Sequence, residues 1–145
     1  MAGRDAPSLL LALWNAARAA DSRARIEMRA AGVADDELAV LLTLAQAGRG
    51  LTTTELASRV GAAFMTTSDA AARLEGRGDV ERIPNPADRR SHLLALTDLG
   101  AARAAAARAP LERALASLVG EDGLSASEMR DLQGLLLRVG NLTDP

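Results

Sequence analysis

Two groups of side chains in this sequence have residue types and spacings suited to binding a polyanion. One is a run of three hydroxyls with an arginine further along, and its members are Thr66, Thr67, Ser68 and Arg73. The other is a carboxylate followed by two arginines close to two prolines, and its members are Asp88, Arg89 and Arg90. Guanidinium groups pair with phosphates, and hydroxyls bond to phosphates or to base edges. Both groups are therefore candidates for contact with nucleic acid.

The rest of the composition excludes most other chemistry. The 145 residues contain no cysteine or tyrosine and a single histidine, His92. Disulfides, thiolate metal sites and thiol nucleophiles are therefore excluded, and no nucleophile–base pair or metal cluster is in register. Paired carboxylates such as Asp35 and Asp36 are typical of a helix N-terminus. We expect a protein that is not an enzyme and holds no metal or cofactor.

The charge balance gives weak support to nucleic-acid binding. All 17 basic residues are arginines, but 19 acidic residues leave a net charge of −2. Between residues 59 and 90 there are six arginines and five acidic residues, so the segment that holds both candidate groups is only slightly basic. Binders of nucleic acid usually show a clear basic patch. Any such function must therefore follow from where individual arginines lie.

The sequence contains no segment suited to crossing a membrane. The longest apolar run near the N-terminus, Leu9–Trp14, has six residues, whereas a membrane-spanning helix needs roughly 20. The short apolar run and the acidic Asp5 also argue against a secretory signal peptide. We therefore expect a cytoplasmic protein without a membrane partner.

The elements that would position the candidate groups are mostly helices. Apolar residues at spacings of three and four predict helices over residues 8–31 and 35–48. A capping box, Thr52-Thr53-Thr54-Glu55, opens a short helix that ends near Gly61, and a further helix follows Met65 and ends at Gly78. Two short helices joined by about four residues are typical of a helix-turn-helix.

A β-hairpin and further helices follow. Extended segments at 79–83 and 92–96 flank a loop with two prolines and an asparagine. Thr97 then caps a long helix that Pro110 should kink or split, and a second capping box at Ser125 opens the last helix. A helix-turn-helix followed by a hairpin is the layout of a winged helix. Its second helix can enter the major groove of DNA while the hairpin tip lies over the adjacent minor groove.

At these residues the sequence resembles the MarR-type transcriptional regulators, from about Leu9 to the last helix. The most specific match joins the hairpin tip, the second strand and the next helix cap in one spacing. It consists of Asp88-x-Arg90, five residues, and then Leu96-Thr97-x-x-Gly100. Supporting matches are Leu51-Thr52, Glu55-Leu56-Ala57, Arg73-Leu74-Glu75-x-x-Gly78 and Val80-Glu81-Arg82.

The resemblance implies one mainly α subunit over residues 1–145. Residues 8–48 and 98–143 would supply the helices for dimerisation and support, and residues 51–97 a winged helix-turn-helix lobe with a small β-hairpin wing. It also implies a homodimer on double-stranded DNA, bound to a pseudo-palindromic operator with half-sites about 10 base pairs apart. Many members are repressors whose affinity for DNA falls when a small, often aromatic or phenolic, effector binds.

Each candidate DNA contact has a structural alternative. Arg90 is expected to enter the minor groove with Asp88 orienting it or bracing the turn, whereas both would otherwise form a solvated pair. Arg89 would contact phosphate or water. Thr66 either contacts DNA or caps its helix, with Asp69 in the capping-box position.

Four other residues bear on this interpretation. Trp14 would either line an effector pocket or pack in a core or dimer interface. Asp69 could accept a bond from cytosine N4 but would repel phosphates. Asp79 replaces an expected apolar residue and should loosen the packing between the second helix and the wing, and His92 should be packed on a partly buried strand. The two aspartates favour the alternative of a winged-helix protein–protein interaction module without specific DNA binding.

Overall fold

The computed structural model describes residues 6–31, 34–119 and 123–141, which form helices and one antiparallel hairpin. The helices are α1 (Ala6–Ala31), α2 (Asp35–Ala47), α3 (Thr53–Val60), α4 (Phe64–Gly76), α5 (Asp98–Ala106), α6 (Arg108–Val119) and α7 (Ala126–Asn141). The strands are β1 (Val80–Pro84) and β2 (His92–Leu96). The predicted mainly α fold with a β-hairpin is confirmed. The bounds differ chiefly at α4, which begins and ends earlier than expected.

The chain divides into two compact units, which are described separately. Residues 25–111 form the first, here called the central lobe, and residues 1–24 with 112–145 form the second, here called the terminal unit. The central lobe therefore contains α2 to α5, the hairpin and the adjoining ends of α1 and α6.

The main core of the central lobe is aliphatic and draws on α2 to α5 and the hairpin. Its buried residues are Val40, Leu41, Leu44, Leu51, Leu56, Ala70, Ala71, Leu74, Val80, Leu94 and Ala104. Full burial of one leucine or valine side chain contributes about 1.5–3 kcal/mol. The cluster therefore fixes α4 against α2, α3 and β1, its neighbours in the lobe.

Capping groups fix the ends of α3 as the sequence predicts. The Thr52 hydroxyl oxygen accepts from the Glu55 backbone N–H at 3.2 Å, and the Glu55 carboxylate accepts from the Thr52 N–H at 2.9 Å. The bond from the Thr52 backbone lowers the pKa of Glu55 below its ordinary value. At the other end, Gly61 has a φ of 72°, a conformation that side chains disfavour. Local chemistry therefore bounds the helix on both sides.

The hairpin has a third participant that the sequence analysis did not predict. β1 and β2 pair antiparallel over their full length. Leu51, which precedes α3, adds a bridge: its N–H donates to the Leu94 carbonyl at 3.0 Å, and the Leu94 N–H donates to the Leu51 carbonyl at 2.7 Å. This bridge joins the base of the wing to the start of the helix-turn-helix.

The Leu96-Thr97-x-x-Gly100 spacing has a physical basis at the joint between the wing and α5. The Thr97 hydroxyl accepts from the Gly100 N–H at 3.1 Å, which caps α5, and it donates to the Gly78 carbonyl at 2.6 Å. Gly100 packs so closely that an added Cβ would lie 1.9 Å from the Asp79 carbonyl oxygen. No side chain fits there, so packing requires glycine at position 100.

Asp79 is buried and bonded, so the prediction that it loosens the packing of the wing is wrong. Its Oδ1 accepts from Nε of Arg103 at 2.8 Å, and Nε of Arg77 lies 3.5 Å from its Oδ2. Its backbone N–H donates to the Leu74 carbonyl at 2.9 Å. The expectation fails because a guanidinium from α5, 24 residues along the chain, pairs with Oδ1 of the carboxylate, while Oδ2 has no hydrogen-bond partner among the described residues.

Pro110 and Ser125 act as the sequence predicts. α5 ends at Ala106 and α6 begins at Arg108, so the proline lies in the first turn of α6, where it is tolerated. In the terminal unit, the Ser125 N–H donates to the Glu128 carboxylate at 2.8 Å, and the Glu128 N–H donates to the Ser125 hydroxyl at 3.2 Å. None of the helices described has the length and apolar character needed to span a bilayer.

Candidate nucleic-acid interface

α3 and α4 are joined by residues 61–63, the short connection expected of a helix-turn-helix. α4 begins at Phe64, and its N-cap, Ala63, offers no side-chain hydrogen bond. Thr66 therefore lies inside the first turn, and the alternative that it caps the helix with Asp69 is wrong. Thr66 is exposed, so contact with DNA stays its predicted role.

The two faces of α4 differ in exposure. The core-facing residues recur at helical spacing, and they are Thr67, Ala70, Ala71 and Leu74. Thr67 is only 2% exposed, and its hydroxyl has no hydrogen-bond partner among the described residues. Its burial keeps it from direct contact with a partner at the surface. Ser68 is half-buried, and the outward residues are Met65, Asp69, Ala72 and Gly76.

Acidic side chains of α2 hold the guanidinium of Arg73. Its Nε donates to Glu37 Oε1 at 2.9 Å, and a terminal nitrogen pairs with Asp36. Glu37 also accepts from Arg77, the residue after α4, at 2.5 Å. Through Arg77 the pairs continue to Asp79 and its α5 partner. We call these residues the α4 ion-pair cluster, and they are Asp36, Glu37, Arg73, Arg77, Asp79 and Arg103.

Glu37 lies at the centre of this cluster. Its side chain is 5% exposed, whereas those of Arg73 and Arg77 are about half exposed. Burial raises the pKa of the Glu37 carboxyl, but hydrogen bonds from Arg77 and Arg73 outweigh burial and hold that pKa below its ordinary value. Hydrogen bonds to Glu37 raise the pKa of both arginines. Glu37, Arg73 and Arg77 are therefore charged at neutral pH, and their ion pairs tie α4 to α2.

The tip of the wing is a turn that its own polar side chains brace. The Asn85 amide donates to the Ser91 hydroxyl at 2.8 Å and its carbonyl oxygen accepts from the Ala87 N–H at 3.0 Å. Asp88 Oδ1 accepts from the Arg90 backbone N–H at 2.9 Å. The prediction that Asp88 braces the turn is therefore consistent with its bonding, and the Arg90 guanidinium remains available.

The arginines of the central lobe form two groups, those that make an ion pair and those that do not. Between residues 49 and 97, Arg49 pairs with Glu55 and Arg82 with Glu75, while the remaining paired arginines belong to the α4 cluster. Those without an ion pair in this segment are exposed, and they are Arg59, Arg89 and Arg90. Arg59 on α3 and the two cations at the wing tip are therefore available for a phosphate.

The other candidate residues lie elsewhere. Trp14 is on α1 in the terminal unit, 62% exposed, with the Arg18 guanidinium 5.8 Å from its ring centre. That exposure excludes packing in the core of the single chain. His92 begins β2 and is exposed rather than packed, because it lies at the end of the strand towards the turn. In the parts of the chain described, no group of three or more acidic or histidine side chains could hold a metal.

A helix-turn-helix followed directly by a bridged hairpin defines a winged helix-turn-helix protein. Residues 35–92, which run from the start of α2 to the first residue of β2, match the family model described as the MarR family. This segment therefore resembles the winged helix-turn-helix of the MarR family.

Solved structures are similar over most of the chain. The transcriptional regulator PA3341 is 27% identical with a TM-score of 0.74, covering 95% of this chain and 98% of that one. Wild-type MarR from E. coli in its apo form is 24% identical with a TM-score of 0.74, covering 90% and 95%. NadR in complex with 4-hydroxyphenylacetate is 22% identical with a TM-score of 0.74, covering 90% of each chain. The curated proteins include no match.

Proposed function

We propose that this regulator is a repressor that binds a pseudo-palindromic operator as a homodimer. The observation that carries the proposal is the wing tip. Arg89 and Arg90 are exposed, no carboxylate neutralises them among the described residues, and Asp88 fixes the backbone beneath them. A guanidinium on a rigid turn suits the negative potential of a narrow minor groove. Arg90 is the proposed minor-groove residue, and Arg89 the proposed phosphate contact.

The helix-turn-helix would supply the rest of the interface. Thr66 is exposed in the first turn of α4, and Ser68 is partly accessible. Both hydroxyls are proposed to bond to phosphate or base edges, as residues at the start of a recognition helix do. Arg73 acts in this proposal by holding α4 in place, because its Nε and one terminal nitrogen already donate to Glu37 and Asp36.

The proposed dimer rests on apolar side chains of the terminal unit. Large hydrophobic residues of α1 and α7 are more than a third exposed in the single chain, and they include Leu9, Leu10, Leu11, Trp14, Leu132, Leu135, Leu136 and Leu137. Exposed apolar surface on this scale indicates an interface. We propose that residues 8–48 and 98–143 contribute the helices that pair with a second copy. Light scattering should give twice the chain mass, and a stable monomer would remove the basis for palindromic binding.

A small aromatic effector is proposed by analogy with NadR, whose structure holds 4-hydroxyphenylacetate. Trp14 is the candidate contact, and it is the only tryptophan in the chain. Titration with 4-hydroxyphenylacetate as the probe should therefore change the intrinsic fluorescence if this ligand class binds near Trp14. Displacement of the protein from DNA by the same probe would identify it as an effector. An unchanged spectrum would exclude Trp14 as the contact for this probe.

A second candidate function is a protein–protein interaction module without specific DNA binding. The exposed Asp69 on the outward face of α4 and the small number of unpaired arginines favour it. Carboxylates in a groove repel phosphates, so each reduces the affinity for DNA. This candidate predicts no salt-sensitive binding to any duplex.

Binding to the intergenic DNA beside its own gene distinguishes the two functions. Fluorescence anisotropy at 50 to 200 mM salt should show a dissociation constant that rises steeply with salt. The matched control is the double variant Arg89→Lys, Arg90→Lys, which keeps the charge and should retain much of the phosphate attraction. Arg89→Ala, Arg90→Ala should lose most of the binding. Equal binding by the alanine variant would remove the wing from the interface.

A further inference from the structure

The outward face of α4 carries apolar side chains that the chain itself does not cover. Met65 is 67% exposed and Phe64 is 51% exposed, both in the first turn. Met65 lies opposite the core-facing stripe that contains Ala70 and Leu74, so no adjustment of the helix could bury it with them. Apolar side chains of this size are usually buried in a lone domain. Their exposure at the start of the recognition helix indicates a partner surface.

The same face lacks a cation that could bind guanine. Residues at spacings of four, three and four form the outward stripe, and they are Met65, Asp69, Ala72 and Gly76. Arg73 and Arg77 flank the stripe, but the carboxylate of Glu37 accepts from both of them. The commonest specific contact with guanine in the major groove is an arginine or lysine that donates to O6 and N7. The outward stripe of α4 has neither and presents apolar groups and one carboxylate.

Two base edges of the major groove match that chemistry. The C5-methyl group of thymine is an apolar surface, and the N4 amino group of cytosine donates hydrogen bonds. The Asp69 carboxylate makes no ion pair or side-chain hydrogen bond within the described chain, so its oxygens can accept from such a donor. Met65 and Asp69 are four residues apart, one turn on the same face and about 6 Å along the helix, so they would meet bases about two steps apart.

We propose that α4 reads a thymine methyl group through Met65 and one cytosine amino group through Asp69, and that it does not read guanine through arginine. The inference rests on the proposed DNA-binding function. It assigns the base class that each outward side chain selects, and it gives Asp69 a positive role in specificity. The operator half-site should therefore contain a thymine and a cytosine about two base pairs apart in the contacted major groove.

The experiment uses the full chain and changes the DNA first. A pool of random duplexes is enriched for binding, and each thymine of the best duplex is then replaced by deoxyuridine, which lacks only the methyl group. Affinity should fall about fourfold at one or two thymines per half-site, the effect of exposing one buried methyl group. Met65→Ala should bind the thymine duplex more weakly and be indifferent to deoxyuridine at one of these positions. This non-additivity identifies the contact.

Two variants complete the test. Leu99→Ala removes a similarly exposed apolar side chain from α5, and it should keep the full sensitivity to deoxyuridine. Asp69→Asn should relax the preference for cytosine and favour adenine, because an amide pairs with adenine N6 and N7. All three side chains are exposed, so the variants should keep the circular dichroism and melting temperature of the parent protein.

The outcomes separate the two levels of the argument. If no duplex binds with salt sensitivity, the proposed function fails and the base assignment fails with it. If duplexes bind but deoxyuridine has no effect at any position, or has the same effect on Met65→Ala as on the parent protein, the base assignment alone is overturned. The role of Asp69 would be overturned if the enriched site showed no preference for cytosine, or if Asp69→Asn left that preference unchanged.

Discussion

The recognition helix and the wing both carry arginines, but they hold them in opposite ways. In and just after α4, Arg73 and Arg77 donate to Glu37, a carboxylate that is almost completely buried. At the wing tip, Arg89 and Arg90 are exposed without an ion pair in the described chain. The two pairs of arginines therefore have different roles. The first positions an element, and the second is available to a partner.

The comparison shows that a neighbouring carboxylate, more than the residue type, decides whether an arginine is available to a partner. A guanidinium that already donates to Glu37 would have to break charge-assisted bonds before it could contact a phosphate. The wing arginines have no such bonds to break. The predictions below test this division of labour, beginning with the largest expected effect.

Removal of the buried carboxylate should cause the largest change. Glu37→Ala should lower the free energy of unfolding by about 2–3 kcal/mol, because each hydrogen bond to a charged group contributes about 1.5–3 kcal/mol and Arg73 and Arg77 stay partly solvated. Urea unfolding at a fixed protein concentration measures the change. Glu37→Gln, which keeps the shape, should lose less. Full stability together with lost DNA binding would place these arginines in the interface instead.

Loss of the wing guanidinium should leave stability unchanged and reduce affinity. Arg90→Ala should weaken binding to the selected duplex about tenfold, equivalent to about 1.4 kcal/mol, with the same urea midpoint as the parent. Arg82→Ala is the matched control, because Glu75 already holds that guanidinium. A larger loss from Arg82→Ala than from Arg90→Ala would reverse the proposed ranking of the two cations.

The salt dependence should separate a phosphate contact from a structural arginine. Arg89→Ala should reduce the slope of log K against log salt concentration by about 1 for each protomer that contacts phosphate. Arg73→Ala should weaken binding through a less stable lobe, but with little change in the slope. Anisotropy titrations at four salt concentrations give both slopes. Equal slopes for the parent and Arg89→Ala would assign Arg89 to solvent.

The smallest effect is a pH dependence that arises from Glu37 on α2, the carboxylate that pairs with Arg73 and Arg77. The pKa of Glu37 is lower in the folded chain than its ordinary value, so its ionised form stabilises the fold. That contribution is fully present above about pH 4.3, the ordinary value, and is lost as the pH falls through the lower folded value. The stability difference between the parent and Glu37→Gln should therefore shrink below about pH 4. A constant difference would contradict an ionised Glu37.

Local features could be predicted because their partners lie a few residues away. The capping box at Thr52, the break before Pro110 and the Pro-Asn turn each depend on neighbours in sequence, and each is where the sequence indicates. The pairing of Arg73 with Glu37 spans 36 residues and has no local signature. The bridge from Leu51 to β2 also joins residues that are distant in sequence, so it has no local signature either.

The burial of Thr67 had a signal that was available. Ala70, Ala71 and Leu74 are apolar at spacings that define one face of a helix, and Thr67 lies three residues before the first of them. The same periodicity places Met65 on the opposite face. Thr66, Thr67 and Ser68 all carry a hydroxyl, but successive residues of a helix point 100° apart around its axis. Position around the helix axis therefore decides which of these side chains can meet a partner.

The contact between Gly100 and the Asp79 carbonyl limits how the lobe can move. There is no room between these two points for even one methyl group, and the Thr97 hydroxyl pins the same place to the Gly78 carbonyl. Because α5 cannot slide along this contact, we expect a tilt of α5 to displace β1 and the end of α4 with it. We therefore expect any bending of the C-terminal helical segment to occur at the break between α5 and α6.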